Sequence, residues 1–169
     1  MCNRVCNLTD YYDYTSTVQL PRSLAIAGSK GSHYREAAYD LAALSGLSLK
    51  DLSQWVEHVA GQSAARFKLE EDGHERYDRL EAVMLQRILK DQPHGIVVLG
   101  EDTLIDETNL DRVGGAAILV YLNLGESITY SRPLQTAGVV VDMEGKGVLE
   151  VVRILNDALP ALARTDRFQ

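Results

Sequence analysis

The residues with the clearest chemical meaning lie together at positions 28–35, which read Gly-Ser-Lys-Gly-Ser-His-Tyr-Arg. The glycines permit a tight turn, and the cationic side chains of Lys30 and Arg35 would favour a negatively charged ligand. An apolar run at 23–27 predicts a buried strand before this segment, and apolar residues three and four apart across 34–44 predict an amphipathic helix after it. A glycine-rich turn between a strand and a helix is typical of a phosphate-binding loop, because free N–H groups at the helix start attract anions.

This segment matches the phosphate-binding pattern G-x-x-x-x-G-K-[ST] only in part. Gly28 and Gly31 fit the turn, but His33 stands in place of the last glycine. Tyr34 replaces the lysine, and Arg35 replaces the hydroxyl that binds Mg²⁺. Phosphoryl transfer depends on electrostatics around the γ-phosphate and Mg²⁺, and the loss of one such group typically costs about 10²–10³ in rate. We therefore expect a kinase-type fold without the kinase chemistry.

Two interpretations of the segment stay open. The glycines could simply make a strand-to-helix turn that binds nothing. Alternatively, the segment keeps an anion or ligand site at the start of the next helix, without any catalytic residue. The residues of that site would be Gly28, Ser29, Lys30, Gly31, Ser32, His33 and Arg35.

The composition is that of one soluble globular domain, with 169 residues of which 46% are hydrophobic and 24% charged. A net charge of −7 argues against direct nucleic-acid binding, which needs a basic surface. No apolar run approaches the roughly 20 residues of a membrane span, and the polar N-terminus lacks the apolar core of a signal peptide. We expect a cytoplasmic protein with no membrane partner, in which residues 1–21 form a flexible tail and residues 22–169 form the domain.

Apolar runs and helical patterns alternate along the domain. Buried parallel strands are predicted at 23–27, 95–99, 116–122 and 137–141, with a fifth near 47–49. Helices are predicted at 33–45, 51–60, 63–71, 74–91 and 146–164. Strands that alternate with helices predict an α/β fold, a three-layer sandwich with right-handed crossovers.

Four segments, in this order along the chain, resemble the shikimate kinase family of small P-loop kinases. The most specific is Gly73-His-Glu-Arg-Tyr-Asp-Arg-Leu-Glu81, which is similar to the family's G-E-x-x-F-R-x-x-E helix start. Leu47–Asp51 resembles a strand that ends in D-x-D, Gly61 resembles the helix–glycine element beyond it, and Val97–Gly100 resembles a strand that enters a glycine triplet. The resemblance implies a five-stranded parallel sheet in the order 2-3-1-4-5 with the 23–27 strand central. It also implies ATP-dependent phosphorylation of shikimate as the family activity.

The positions that this resemblance makes functional carry different residues here. Asp78 stands where the family has the arginine that holds the shikimate carboxylate, and Gly100-Glu101-Asp102 replaces the glycine triplet. Asp51 keeps the first aspartate of the D-x-D pair, Ser53 replaces the second, and Glu81 is expected to be structural. Like charges about 4 Å apart repel by about 4 kcal/mol at an effective dielectric near 20, so these carboxylates would repel an anionic substrate.

The family's long mobile lid is expected to be shortened or absent. Only residues 123–136 separate the fourth and fifth predicted strands, and Ser131-Arg132-Pro133-Leu134 keeps a trace of the lid's Arg-Pro motif. The former substrate pocket would comprise Asp51, Asp78, Glu101, Asp102 and Arg132.

We expect a non-catalytic shikimate kinase-like protein, a regulatory module that senses a small-molecule ligand or binds a protein partner. Neither ATP nor Mg²⁺ is expected as a cofactor, and the four dispersed histidines give no metal site. The alternative is a divergent shikimate kinase-like enzyme whose rewired acidic site could hold a cation, a polyol or an amine. Arg35 is expected either to pair with Asp51 or to point to solvent beside a bound anion, and the oligomeric state stays open.

Overall fold

The computed structural model describes residues 18–91, 94–125 and 131–164. Within these ranges the chain forms a series of strands and helices with a 3₁₀ turn at Thr103–Ile105. The strands are β1 (Ser23–Gly28), β2 (Leu49–Asp51), β3 (Ile96–Val98), β4 (Ala117–Asn123) and β5 (Val139–Asp142). The helices are α1 (Tyr34–Ser45), α2 (Leu52–Ala60), α3 (Ala64–Lys68), α4 (Gly73–Asp91), α5 (Glu107–Ala116), α6 (Arg132–Thr136) and α7 (Val148–Leu162).

The strands form one parallel sheet in the order β2-β3-β1-β4-β5. β1 is central, with Leu24 opposite Ile96 of β3 on one side and Ile118 of β4 on the other. Helices flank both faces, as the near-continuous apolar character of the strands requires. The predicted α/β fold and strand order are therefore confirmed.

Side chains along each strand alternate between two hydrophobic clusters, because successive residues point to opposite faces of a sheet. On β1, Leu24 and Ile26 pack with the helices α1 and α7. Ala25 and Ala27 pack on the other face, against the cluster that contains α2, α3, α4 and α5. This second face of the sheet carries the helices α2, α4 and α5, whose residues line the candidate site.

The folded domain reaches beyond the predicted boundary at residue 22. Leu20 is only 2% exposed and packs into the α1–α7 cluster. Its carbonyl oxygen is hydrogen-bonded to His94 Nδ1 at 2.7 Å. The last residues of the expected tail thus belong to the domain, and residues 1–17 lie outside the described residues.

The structure adds elements that periodicity did not predict, namely the 3₁₀ turn, α5 and α6. It also ends α3 at Lys68, short of the predicted residue 71. The chain turns between these helices, and at Gly73 a Cβ would be 2.1 Å from the Phe67 carbonyl oxygen, so α3 and the start of α4 lie too close for a side chain at that position. Across the described residues, none of the helices combines the length and apolar composition needed to cross a membrane.

Candidate functional site

The candidate site lies at the carboxyl edge of the sheet, where β1 and β3 end side by side. The turn at 29–33 follows β1, and residues 99–102 follow β3. Ligands of open α/β sheets bind outside the carboxyl ends of the strands. The two segments singled out from sequence therefore meet where a ligand is expected.

Two clefts open on either side of Gly100 and Glu101, which line both. The first has a volume of about 450 Å³ and lies between residues 28–30, α5 and α6; we call it the loop cleft. The second has a volume of about 470 Å³ and lies between α2, α4 and residues 100–102; we call it the acidic cleft. The acidic and basic residues that line the acidic cleft are Arg35, Glu57, Lys68, Asp78, Glu81, Glu101 and Asp102.

The residues selected from sequence divide between these clefts. Those that line the loop cleft are Gly28, Ser29, Lys30, Glu101 and Arg132. Those that line the acidic cleft are Arg35, Asp78, Glu101 and Asp102. Of the acidic residues with which Arg132 was grouped, only Glu101 lines the same cleft, while Asp78 and Asp102 lie in the other; Arg132 is on α6 and forms an ion pair with Glu107 of α5. Four selected residues line neither cleft, namely Gly31, Ser32, His33 and Asp51.

The turn after β1 is fixed to the end of β4 by Ser29. Its backbone N–H donates to the Leu122 carbonyl at 3.0 Å, and its hydroxyl accepts from the Leu124 N–H at 2.7 Å. Gly28 is required at the start of the turn, because a Cβ there would lie 2.4 Å from Ser32 Oγ and 2.8 Å from the Leu122 carbonyl oxygen. Part of the backbone that could have bound an anion is therefore used in internal hydrogen bonds.

Tyr34 occupies the position that the phosphate-binding pattern gives to lysine. Its side chain is 6% exposed, and its hydroxyl donates to the Leu99 carbonyl at 2.9 Å, beyond the end of β3. Burial raises the pKa of the Tyr34 phenol above its usual value, so the group is neutral at physiological pH. The first residue of α1 thus anchors the helix to the neighbouring strand and presents no charge to a ligand.

Arg35 forms an ion pair with Asp51, as one of the two sequence-based arrangements predicted. Arg35 Nη1 lies 2.5 Å from Asp51 Oδ2, and Arg35 Nη2 donates to Ser53 Oγ at 3.3 Å. The Asp51 side chain is 1% exposed, whereas 39% of the Arg35 side chain is exposed. Asp51 also accepts from the Gln54 N–H, as the N-cap of α2, and from the Tyr39 hydroxyl, each at 3.3 Å. Both oxygens of the buried carboxylate therefore accept from protein donors.

Glu81 projects from α4 between the acidic cleft and an adjoining cavity of about 600 Å³. It is 6% exposed, and its Oε1 accepts from the Thr103 hydroxyl at 3.0 Å, while that hydroxyl accepts from the Gly100 N–H at 2.9 Å. Burial, with the nearby charge of Asp78 adding to it, raises the pKa of the Glu81 carboxyl. Burial and Glu81 in turn raise the pKa of Tyr77 to about 12. Glu81 was expected to be structural, and its Oε1 has this role by accepting from Thr103.

Lys68 brings a second cation to the acidic cleft. Its Nζ lies 3.8 Å from Asp102 Oδ2 and 4.6 Å from the centroid of the Tyr77 ring. An ammonium over an aromatic face is attracted by the ring, and more strongly when it is shielded from water. Lys68 therefore bridges α3 and the segment after β3 across the cleft.

Sequence analysis did not assign Glu57, Lys68 or Glu81 to the site. Residues three and four apart share a helix face, so the spacing of Glu81 from Asp78 and Tyr77 could have placed it there. Glu57 and Lys68 gave no such signal, because α2 and α3 reach the cleft only by packing on α4. Among the residues that the structure describes, no three His, Cys, Asp or Glu side chains are placed to hold a metal ion.

Comparisons with known proteins agree with this architecture. The fold is shared with the shikimate kinase from Aquifex aeolicus, at a TM-score of 0.70 and 17% sequence identity, over 84% of this chain and 98% of that one. The shikimate kinase from Acinetobacter baumannii in complex with shikimate has a TM-score of 0.71 and 15% identity, over 92% of this chain and 99% of its own. The shikimate kinase from Bacteroides thetaiotaomicron has a TM-score of 0.68 and 15% identity, over 82% of this chain and 98% of its own. No curated protein matches the chain in sequence. The sequence model of the family described as shikimate kinase matches residues 36–138, which is more than half of the chain. The chain therefore belongs to the shikimate kinase family.

Proposed function

We propose that this protein does not transfer phosphate and acts as a ligand-sensing or partner-binding module of regulatory type. The observation that carries the proposal is the ion pair between Arg35 and Asp51. Arg35 stands where the phosphate-binding pattern has the hydroxyl that binds Mg²⁺, and a guanidinium cannot coordinate a metal. Its charge also lies where a metal ion would have to approach Asp51.

The neighbouring position supports the same proposal. The pattern's lysine reaches the β- and γ-phosphates, whereas Tyr34 is neutral, buried and bonded to the Leu99 carbonyl. Two groups that would stabilise the charge of a transferring phosphoryl group are thus replaced together. We expect Mg-ATP to bind weakly or not at all.

The acidic cleft supports the substrate part of the proposal. Asp78, Glu101 and Asp102 line the same cleft, and Asp78 holds the position that the family motif gives to a carboxylate-binding arginine. A carboxylate ligand would meet like charges there, each costing up to about 4 kcal/mol at 4 Å and an effective dielectric near 20. Residues 124–138 lie between β4 and β5, and their described part contains only the five-residue helix α6, so we expect no lid that excludes water.

A divergent enzyme remains the second candidate, and Glu81 is the observation that favours it. A buried carboxylate with a raised pKa in a cleft has the properties of a general acid. In that case the acidic cleft would act on a neutral or cationic substrate, since its own charge disfavours anions.

The proposal is tested by a coupled ADP-release assay with Mg-ATP and shikimate, with the Acinetobacter baumannii shikimate kinase as the positive control. We expect no shikimate-dependent turnover and no thermal stabilisation by Mg-ATP, because a ligand that does not bind the folded state cannot raise its stability. The double variant Tyr34→Lys with Arg35→Ser, checked for folding by circular dichroism, should also be inactive. Steady shikimate-dependent ADP release by the unmodified protein would overturn the proposal.

A further inference from the structure

The loop cleft carries balanced charge. In the described part of the chain, its charged lining residues are Lys30, Glu101, Glu107 and Arg132. Glu107 of α5 and Arg132 of α6 form an ion pair, so their charges compensate each other. Lys30 and Glu101 have no ion-pair or hydrogen-bond partner for their side chains among the described residues. One cation and one anion of this described lining are therefore available to a ligand.

Lys30 and Glu101 reach the cleft from neighbouring strand ends. Lys30 lies in the turn after β1 and Glu101 in the segment after β3, and these two strands pair side by side. Both side chains line the cleft, yet they do not pair with each other. Opposite charges that face one cavity without meeting favour a ligand that carries both charges. A ligand with a carboxylate alone would be repelled by Glu101, and a ligand with an ammonium alone would be repelled by Lys30.

Apolar side chains form much of the remaining lining. Leu104, Leu110 and Tyr121 line the cleft and are each at most 7% exposed, so their positions are fixed by the core. Ile105 also lines the cleft but is 76% exposed, which is unusual for a large apolar side chain. An apolar group of a ligand in the cleft would cover part of this exposed surface. The cleft volume of about 450 Å³ lies within the range of about 300–1,000 Å³ that is typical of small-molecule sites.

We propose that the loop cleft binds an apolar α-amino acid as its zwitterion. Lys30 holds the α-carboxylate, Glu101 holds the α-ammonium, and the side chain packs against Leu104, Ile105 and Leu110. Both α-groups are ionised near neutral pH, and each can form charge-assisted hydrogen bonds. A polar side chain would lose its water against the apolar lining without gaining a partner, so the cleft selects against it. The inference rests on the proposed function, because it names the ligand of the ligand-sensing module.

The first test is isothermal titration calorimetry of the full chain with L-phenylalanine and three relatives that each lack one feature. 3-Phenylpropanoate lacks the ammonium, 2-phenylethylamine lacks the carboxylate, and glycine lacks the apolar side chain. We expect one L-phenylalanine per chain, bound about fivefold or more tightly than each relative, because each loses one contact. Equal affinity for L-phenylalanine and either singly charged relative would overturn the zwitterion site, and equal affinity for glycine would overturn the apolar contact.

Two charge variants assign each group of the ligand to its residue. Lys30 lines the loop cleft and not the acidic cleft, so Lys30→Met also locates the ligand. It should weaken L-phenylalanine binding about fivefold but should not weaken binding of 2-phenylethylamine, which has no carboxylate. Glu101→Gln should weaken L-phenylalanine binding by a similar factor but should not weaken binding of 3-phenylpropanoate, which has no ammonium.

Matched controls separate these contacts from net charge and from packing. Lys90→Met on α4 and Glu150→Gln on α7 remove exposed charges elsewhere and should leave the affinity for L-phenylalanine unchanged. Ile105→Ser should weaken binding about threefold, whereas Ile154→Ser, which removes a partly exposed side chain from α7, should not. Circular dichroism checks that each variant is folded. Equal weakening by a site variant and its control would overturn the site.

The outcomes separate this inference from the proposed function. If L-phenylalanine does not bind, the amino-acid site is overturned, while the absence of ADP release still supports the proposed function. Binding that Lys30→Met leaves unchanged would place the ligand outside the loop cleft and overturn the inference as well. Shikimate-dependent ADP release in the same preparation would overturn the proposed function and, with it, the inference that rests on it.

Discussion

Truncation of Arg35 to alanine leaves the Asp51 carboxylate buried without its cation, and this should be among the more destabilising single changes near the candidate site. Removal of one partner of a buried ion pair typically costs about 3–5 kcal/mol, because the other charge stays desolvated. Two features lower that figure here. The Arg35 side chain is 39% exposed, so water can replace it, and Asp51 keeps the Gln54 N–H and the Tyr39 hydroxyl as donors. We expect a loss of about 2–3 kcal/mol in the free energy of unfolding.

The coupling energy between Arg35 and Asp51 tests the ion pair more directly than the effect of either single variant on stability. Asp51→Asn keeps an oxygen that can cap α2 and removes the buried charge, so it should cost about 1 kcal/mol. Once the charge is gone, truncation of Arg35 should cost little more, which predicts a coupling energy of about 1.5–2 kcal/mol in a double-mutant cycle. The matched control is the exposed pair Arg79–Glu75, whose side chains are 72% and 65% exposed. Pairs of that kind couple by about 0.3–0.5 kcal/mol.

Urea denaturation of the four proteins of each cycle measures these values at pH 7. A loss of about 2–3 kcal/mol corresponds to a fall in Tm of roughly 4–12 °C for a domain of this size. The slope of the unfolding free energy against urea should not change, because the surface exposed on unfolding stays the same. A coupling energy for Arg35 and Asp51 no larger than that of the exposed control pair would refute the structural ion pair.

Three further predictions address the residues around this pair. Tyr34→Phe removes the bond to the Leu99 carbonyl and should cost about 1–2 kcal/mol in the free energy of unfolding, measured with urea. Burial raises the pKa of Glu81, so between pH 4.5 and the folded-state pKa its carboxyl keeps a proton that the unfolded chain has released. The stability of the unmodified protein, relative to that of Glu81→Gln, should therefore fall as the pH rises through this range, as measured by thermal melts. Gly100→Ala places a Cβ 2.6 Å from Glu81 Oε1 and should lower the free energy of unfolding by about 1–3 kcal/mol. The control Gly115→Ala, on α5, meets no atom within 4 Å and should leave that free energy unchanged or raise it by up to about 1 kcal/mol in the same urea assay.

The strands could be predicted from sequence because each is a short apolar run covered on both faces. The helix α5 could not be predicted from periodicity, since Leu110 and Val113 are the only large apolar side chains it buries and two glycines lie near its end. Its start carries a different signal, the cap in which Asp106 Oδ1 accepts from the Asn109 N–H at 2.9 Å. The helix α6 is five residues long, which is too short for a helical period to be visible.

The contacts of the site could be predicted from sequence only where both partners lie at known places along the sheet edge. Arg35 and Asp51 could be paired in advance because Asp51 ends β2 and Arg35 lies just beyond the turn after β1, at the same edge of the sheet. The bond of the Tyr34 hydroxyl to the Leu99 carbonyl spans 65 positions and depends on how far α1 stands from β3. The contact of Lys68 with Asp102 likewise depends on the packing of α3. Such distances are set by tertiary packing and leave no trace in residue spacing.

The two residues that depart from the phosphate-binding pattern, Tyr34 and Arg35, have structural roles of their own. Tyr34 bonds to the Leu99 carbonyl, and Arg35 neutralises Asp51, so each new side chain has its own partner in the protein. Tyr34→Lys would bury an ammonium beside a single carbonyl, and Arg35→Ser would leave the buried Asp51 carboxylate without a cation. Restoring the pattern would therefore lower stability before it could restore phosphate binding. The first two residues of α1 thus connect this helix to the ends of β2 and β3 through bonds within the protein.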